Sequence, residues 1–131
     1  MTNNDLSIPI ETDNNYRLEV QIQDILEAIA ATESFVKDLD FLQFSRDQKT
    51  IFATERAIGI IGATARRLPI NFIDQYPQVN WRRLISISDS LMFGYLEIDL
   101  NTLWEITQED APFIRQIMQG VVDQLAANPS L

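Results

Sequence analysis

The sequence predicts an all-α protein, an up-and-down bundle of four main helices with one or two short ones. Three observations lead there. Apolar residues recur at steps of three and four along nearly all of the chain after residue 14. The strict alternation of a half-buried strand is nowhere sustained. Prolines, a glycine and capping residues fall between the periodic stretches, where helices would have to stop and start.

The first helix is marked by Leu18, Ile22, Ile25, Leu26 and Ile29, a single apolar stripe, with Asp13 to Asn15 offering caps at its start. The polar, acidic residues 1–14 ahead of it read as a flexible arm. Asp40 is placed to open a short helical turn over FLQF. Ser45 and Gln48 have capping-box spacing and are expected to start the second long helix. In that helix Ile51, Thr54, Ile58, Ile61, Ala65 and Leu68 form a seam suited to a neighbour at a shallow angle, and Pro69 ends it. Pro77 and the Asn80 cap mark a turn before a third helix over 81–93, with Gly94 as its terminator. Asp99 caps a last long element carrying Leu103, Ile106, Phe113, Ile114, Ile117, Val121 and Leu125. Pro112 lies inside that element and should kink or restart it, with Asp110 as a possible new cap. Residues 128–131 read as a tail, leaving one folded domain over 15–127.

Composition narrows the chemistry. The 131 residues contain neither cysteine nor histidine. Disulfides, thiolate metal sites and a cysteine nucleophile are excluded, as are the commonest general base and the commonest transition-metal ligand. No run of apolar residues is long enough to span a membrane, and the N-terminus lacks a basic and an apolar signal region, so a cytoplasmic location is expected. The net charge of −9 is uneven. Residues 1–45 carry nine acids and two bases, residues 46–83 seven bases and three acids, and residues 84–131 seven acids and one base. An acidic whole disfavours RNA as a sequence-independent ligand. The basic middle leaves two readings open: a local nucleotide surface, or a basic face meeting acidic ones within the fold or on a partner.

The stretches ILEAIAATESFV, DFLQFSRDQKT, ERAIGIIGATARRLP, FIDQYPQVNWRRLISI, FGYLEIDLNTLWEIT and QEDAPFIRQI carry a specific resemblance. In their order, and in the combination of W-R-x-L-I, the Gly-Tyr pair and D-L-x-x-L-W-E, the chain resembles the HepT-like branch of the HEPN superfamily over roughly residues 16–120. The resemblance implies a small all-α homodimer. It also implies a metal-independent ribonuclease, with no cofactor, that acts as the toxin of a toxin–antitoxin pair. The implied antitoxin is a minimal nucleotidyltransferase able to transfer AMP groups to a tyrosine beside the catalytic histidine.

Carried onto this chain, the family arginine falls on Ser88, the asparagine on Asp89, a second basic position on Ser90 and the histidine on Phe93. Positions that bear acids on the second long helix of many relatives fall on Gly59 and Ala63. Tyr95, the modified tyrosine, is retained. Cleavage of RNA without metal needs a base for the 2′-hydroxyl, an acid for the leaving oxygen and a cation for the phosphate. Phe93 moves no proton, Ser88 carries no charge, and Asp89 repels a phosphate. The leading expectation is therefore a HepT-like protein with lost or strongly reduced ribonuclease activity, serving as a dimeric module or as partner of a nucleotidyltransferase.

Two alternatives stand beside it: an active ribonuclease with an altered site at Arg82 and Asp89, and a nucleotide-binding helical bundle. Arg82, Ser86, Asp89 and Phe93 share one helix face, so Arg82 and Asp89 read either as that altered site or as a surface ion pair. The small residues Gly59, Gly62 and Ala63 suit either a partner interface filled by Phe93 or ordinary packing within the chain. Glu105, Glu109 and Asp110 read as a solvated face and not as metal ligands. Ser86, Ser88 and Ser90 have no base to activate them. Trp81 and Trp104 read as core or interface anchors, and Tyr95 as a turn residue whose hydroxyl reaches solvent.

Overall fold

The computed structural model describes residues 10–94 and 98–127, with side chains from residue 16 onward. Among the described residues every regular element is helical: α1 (Ile10–Val36), α2 (Phe41–Ser45), α3 (Gln48–Arg66), α4 (Ile70–Gln75), α5 (Trp81–Phe93), α6 (Leu100–Glu105), a π-helical turn (Ile106–Asp110) and α7 (Ala111–Ala127). Four long rods, counting α6, the π turn and α7 as one, and the short α2 and α4 make the all-α bundle that the periodicity predicts. α1 begins at Ile10, ahead of the boundary expected near residue 15.

α3 lies at the centre, packed along α1 on one side and α5 on the other, while α7 closes against α1. The expected stripes face inward. Ile22, Ile25 and Ile29 of α1, Ile61 and Ala65 of α3, Leu84 of α5, and Ile114, Met118 and Val121 of α7 form the larger core. Val36, Phe44, Ile58, Ile87, Leu103 and Ile106 form a second cluster, with the Trp104 ring packed against Phe44 at a tilt, 5.1 Å between centroids. Trp81 is buried, and its indole N–H donates to the Tyr76 carbonyl at 3.0 Å. Both tryptophans are anchors, as expected.

The punctuation is mostly where the sequence places it. Asp40 caps α2 through a complete capping box with Gln43. Asn80 caps α5, Asp99 caps α6, and Gly94 ends α5 in the left-handed conformation with φ of 67°. Three details differ. The cap of α3 is Asp47 and not Ser45. The Ser45 hydroxyl closes the last turn of α2 on the Leu42 carbonyl at 2.7 Å, while the Asp47 carboxylate accepts from the Thr50 N–H at 3.1 Å and the Thr50 hydroxyl at 2.7 Å. Those bonds from Thr50 hold the Asp47 carboxyl below its ordinary value. A short helix, α4, fills the space between Pro69 and Pro77, to which the sequence reading assigns no particular element, and buries Phe72, while the turn expected from Pro77 to Asn80 is present. At Pro112 the last element stays helical, and Asp110 lies within the π turn and not at a helix cap. The backbone widens instead, and the Ala111 N–H reaches back to the Ile106 carbonyl. A π turn in this place lets the rod pass a residue that has no N–H and whose ring crowds the preceding turn.

Ion pairs tie the rods together. Arg115 of α7 meets Glu33 of α1 at 2.9 Å. Arg83 of α5 pairs with Glu105 and lies 3.8 Å from Asp110, spanning both ends of the π turn. Hydrogen bonding to Glu105 holds the Arg83 guanidinium above its ordinary value. Asp110 is pushed up, first by burial and further by Glu105, with Arg83 opposing. A carboxyl that holds its proton more tightly folded than unfolded loses folding stability as pH rises from 3.8 through the folded value. Asp110→Asn should flatten that fall and leave stability at pH 7 equal or slightly higher. Glu105→Gln should lower it, each change staying under about 1 kcal/mol in urea titrations.

Asp38, after α1, is the one non-glycine residue with positive φ, 65°, among the described residues. Asp38→Gly should relieve that strain and raise stability by about 0.5–1 kcal/mol, seen as a higher midpoint of thermal unfolding.

Candidate functional site

The presumed site is a seam between α3 and α5. α3 presents Gly59, Gly62, Ala63 and Arg66 at helical spacing, and α5 presents Leu84, Ser88, Asp89 and Phe93. The two backbones come very close at Gly62. A β-carbon placed there would lie 2.4 Å from the Leu84 carbonyl oxygen and 2.4 Å from the Ser88 Cβ. Glycine is therefore required by the approach of another backbone, and the expected small-residue contact is at this point packing within the chain.

Ser88 lies directly under that contact. It is 1% exposed, and its hydroxyl donates to the Gly59 carbonyl at 2.8 Å. The next residue, Asp89, pairs through its carboxylate with the Arg66 guanidinium from α3, both groups facing solvent. The ion pair expected between Arg82 and Asp89 is thus replaced by one with Arg66, and Arg82 is exposed with no ion pair among the described residues. The reason is geometric: residues two turns apart on one helix must stretch, whereas the Gly62 contact brings α3 across to Asp89. Arg66 went unremarked in the sequence, although it sits one turn beyond Ala63 on the Gly59 face. Ser90 donates to the Ser86 carbonyl at 3.2 Å. Phe93 is 61% exposed at the end of α5. Tyr95 lies outside the described residues, so its expected exposure has no structural account.

Gly59 behaves differently from Gly62. Its missing side chain would meet nothing within 4 Å. It opens on a groove of about 390 Å³ between α3 and α5 lined by Phe52, Glu55, Arg56, Gly59, Leu91 and Met92. Burial raises the Glu55 carboxyl above its ordinary value. Glu55 is one turn before Gly59, and its spacing was a signal that sequence reading passed over. A second groove, of about 550 Å³, lies between α3 and α1 and is lined mainly by alanines, Phe35 and Ile60, with Asp24, Glu27 and Arg56 as its charges. Among the described residues no group of three or more metal-ligating side chains converges, and no helix is long and apolar enough to cross a membrane. Glu105 and Asp110 are engaged by Arg83.

In chemical terms the seam offers a buried hydroxyl bonded to a carbonyl, a carboxylate matched by a guanidinium, and a phenyl ring. Comparison with known proteins identifies the frame that holds them. Residues 25–121 match the family described as "Ribonuclease HepT-like". The chain belongs to the HepT-like family. It is 35% identical to the "Probable ribonuclease HepT" of Thermococcus cleftensis, over 72% of this chain and 86% of the relative. Two proteins of Methanocaldococcus jannaschii named "Putative RNase" are similar to it as well. One is 33% identical over 76% of this chain and 92% of its own length, the other 34% over 78% and 85%. No solved structure matches the chain.

The geometry makes three substitutions informative. Gly62→Ala should cost about 2–3 kcal/mol, because the β-carbon meets backbone that cannot rotate away. Ser88→Arg should cost about 3 kcal/mol or more, since it places a cation at a 1% exposed position without a carboxylate. Gly59→Glu, whose side chain has open space, should recover part of the Ser88→Arg loss. A double-mutant cycle by chemical unfolding measures that recovery.

Proposed function

We propose that this chain is a HepT-like protein in which ribonuclease chemistry has been withdrawn and the fold is kept as a dimeric interaction module. In this reading it belongs to a toxin–antitoxin type of pair, acts in the cytoplasm, and has a minimal nucleotidyltransferase as its partner. The observation that carries the proposal is the state of the seam. Ser88 is buried and bonded to Gly59, Asp89 is neutralised by Arg66, and Phe93 can neither give nor take a proton. Among the described residues no acid, base and phosphate-binding cation converge there, and all three are needed for cleavage without a metal. The relatives named as ribonucleases support the frame of the reading, and the substituted motif supports the loss of activity.

The groove beside Gly59 favours one competing reading more than the Arg82–Asp89 site does. Glu55, its carboxyl raised by burial, stands beside Arg56 in that groove. In that reading Glu55 is the proton-transfer group.

Two experiments test the proposal. Purified protein incubated with tRNA should leave it intact, and cleavage that disappears in Glu55→Gln would overturn the loss of activity. Incubation with ATP and a minimal nucleotidyltransferase should label Tyr95 with AMP groups, and Tyr95→Phe should remove the label. A missing label, or one unchanged in Tyr95→Phe, counts against the paired-module reading.

A further inference from the structure

The groove between α3 and α5 sets apolar walls around two charges that have no ion pair. Phe52, Glu55, Arg56 and Gly59 line it from one face of α3, and Leu91 and Met92 from α5. Phe52 and Met92 are each 60% exposed. Large apolar side chains grouped around one hollow mark a binding site. The volume, about 390 Å³, suits a small molecule. Gly59 leaves the floor bare, since a β-carbon there would meet nothing within 4 Å. A flat ring can therefore lie against the helix backbone. Glu55 is half-buried in the groove, and Arg56 stands exposed on the α3 ridge that separates it from the α1 groove. Neither forms an ion pair among the described residues, whereas Arg66, Arg83 and Arg115 all do.

We infer that this groove binds a guanine base, presented by a free nucleoside. The ring would lie over Gly59 between the Phe52 ring and the Met92 thioether, which covers both exposed side chains. The two charges select the base. An ionised carboxylate only accepts, through two oxygens, and a guanidinium only donates. Together Arg56 and Glu55 offer a donor followed by two acceptors. The pairing edge of guanine is the complement: O6 accepts, and N1–H and the 2-amino group donate side by side. Adenine, cytosine and uracil each turn an acceptor toward one carboxylate oxygen, which leaves buried polar groups unpaired. Phosphate is no part of the match. The one cation of the groove is engaged by O6, and the net charge of −9 disfavours a chain of phosphates. Such a site needs neither a second chain nor cleavage of RNA.

Calorimetric titration of the full chain with guanosine tests this. Guanosine should bind, with adenosine, cytidine and uridine about 10–100-fold weaker. Inosine, which lacks the 2-amino group, should bind about 10-fold more weakly than guanosine. GMP should bind no more tightly than guanosine at physiological salt. Glu55→Gln should weaken guanosine about 10-fold or more and erase its advantage over inosine, because an amide cannot accept from both N–H groups. Phe52→Ala should weaken all nucleosides about 10-fold. Gly59→Leu, placed where a β-carbon has open space, should fill the groove and abolish binding with helix content unchanged by circular dichroism. No binding of guanosine, equal binding of all four nucleosides, or an affinity indifferent to both Phe52→Ala and Gly59→Leu overturns the site. Tighter binding of guanine-containing single-stranded RNA than of guanosine overturns the free nucleoside as ligand. The response of tRNA to the protein and the labelling of Tyr95 are independent of these results.

Discussion

The approach of α3 to α5 at Gly62 is the constraint on which the rest of the structure depends. With no β-carbon at 62, the Leu84 carbonyl and Ser88 can sit against the α3 backbone, and Ser88 becomes a buried residue of the helix contact. The same approach brings Arg66 within reach of Asp89 one turn further along. It leaves Gly59 facing open space on the near side, which creates the groove between Phe52 and Met92. One close contact thus sets the burial of one motif position, the pairing of another and the shape of the surface beside them.

That contact also explains why the substitutions at the seam belong together. A cation at 88 would need a carboxylate, and the position best placed to supply one is 59. Here both are small, and the serine satisfies its hydroxyl on the Gly59 carbonyl. An unpaired Asp89 would repel a phosphate, but an Asp89 matched to Arg66 is an ordinary exposed ion pair worth at most about 1 kcal/mol. Among the described residues the polar groups at 66, 88 and 89 are turned on other groups of the chain.

Much of the fold was legible because core stripes and caps are local signals. Ile22, Ile25 and Ile29, or Ile58, Ile61 and Ala65, declare a helix face by spacing alone, and Asp40, Asn80 and Gly94 mark ends by side-chain chemistry. The misplaced details are those in which two local answers compete. Ser45 and Asp47 could each have capped α3, and the hydroxyl's bond to Leu42 decided between them. Pro112 forbids one backbone bond of an α-helix, but a π turn satisfies that restriction without ending the rod. At the site, the substitutions themselves could be read from sequence. Arg66 could not be paired with Asp89 from sequence, since spacing within α5 points to Arg82 and only the crossing at Gly62 brings in the other helix.

Part of the charge pattern has the same origin. The basic middle of the chain left open a nucleotide surface or a meeting of opposite faces. Arg66 and Arg83 are spent on acids of neighbouring elements, and Arg67 donates to the Ala63 carbonyl at 3.2 Å. What remains on the α3 ridge is Arg56, flanked by grooves that carry acids and exposed aromatic rings. A surface for phosphate would gather cations and exclude acids. This one mixes a single cation with three carboxylates and exposed apolar side chains. Two of the seven bases of that middle stretch, Arg66 and Arg83, thus hold helix to helix.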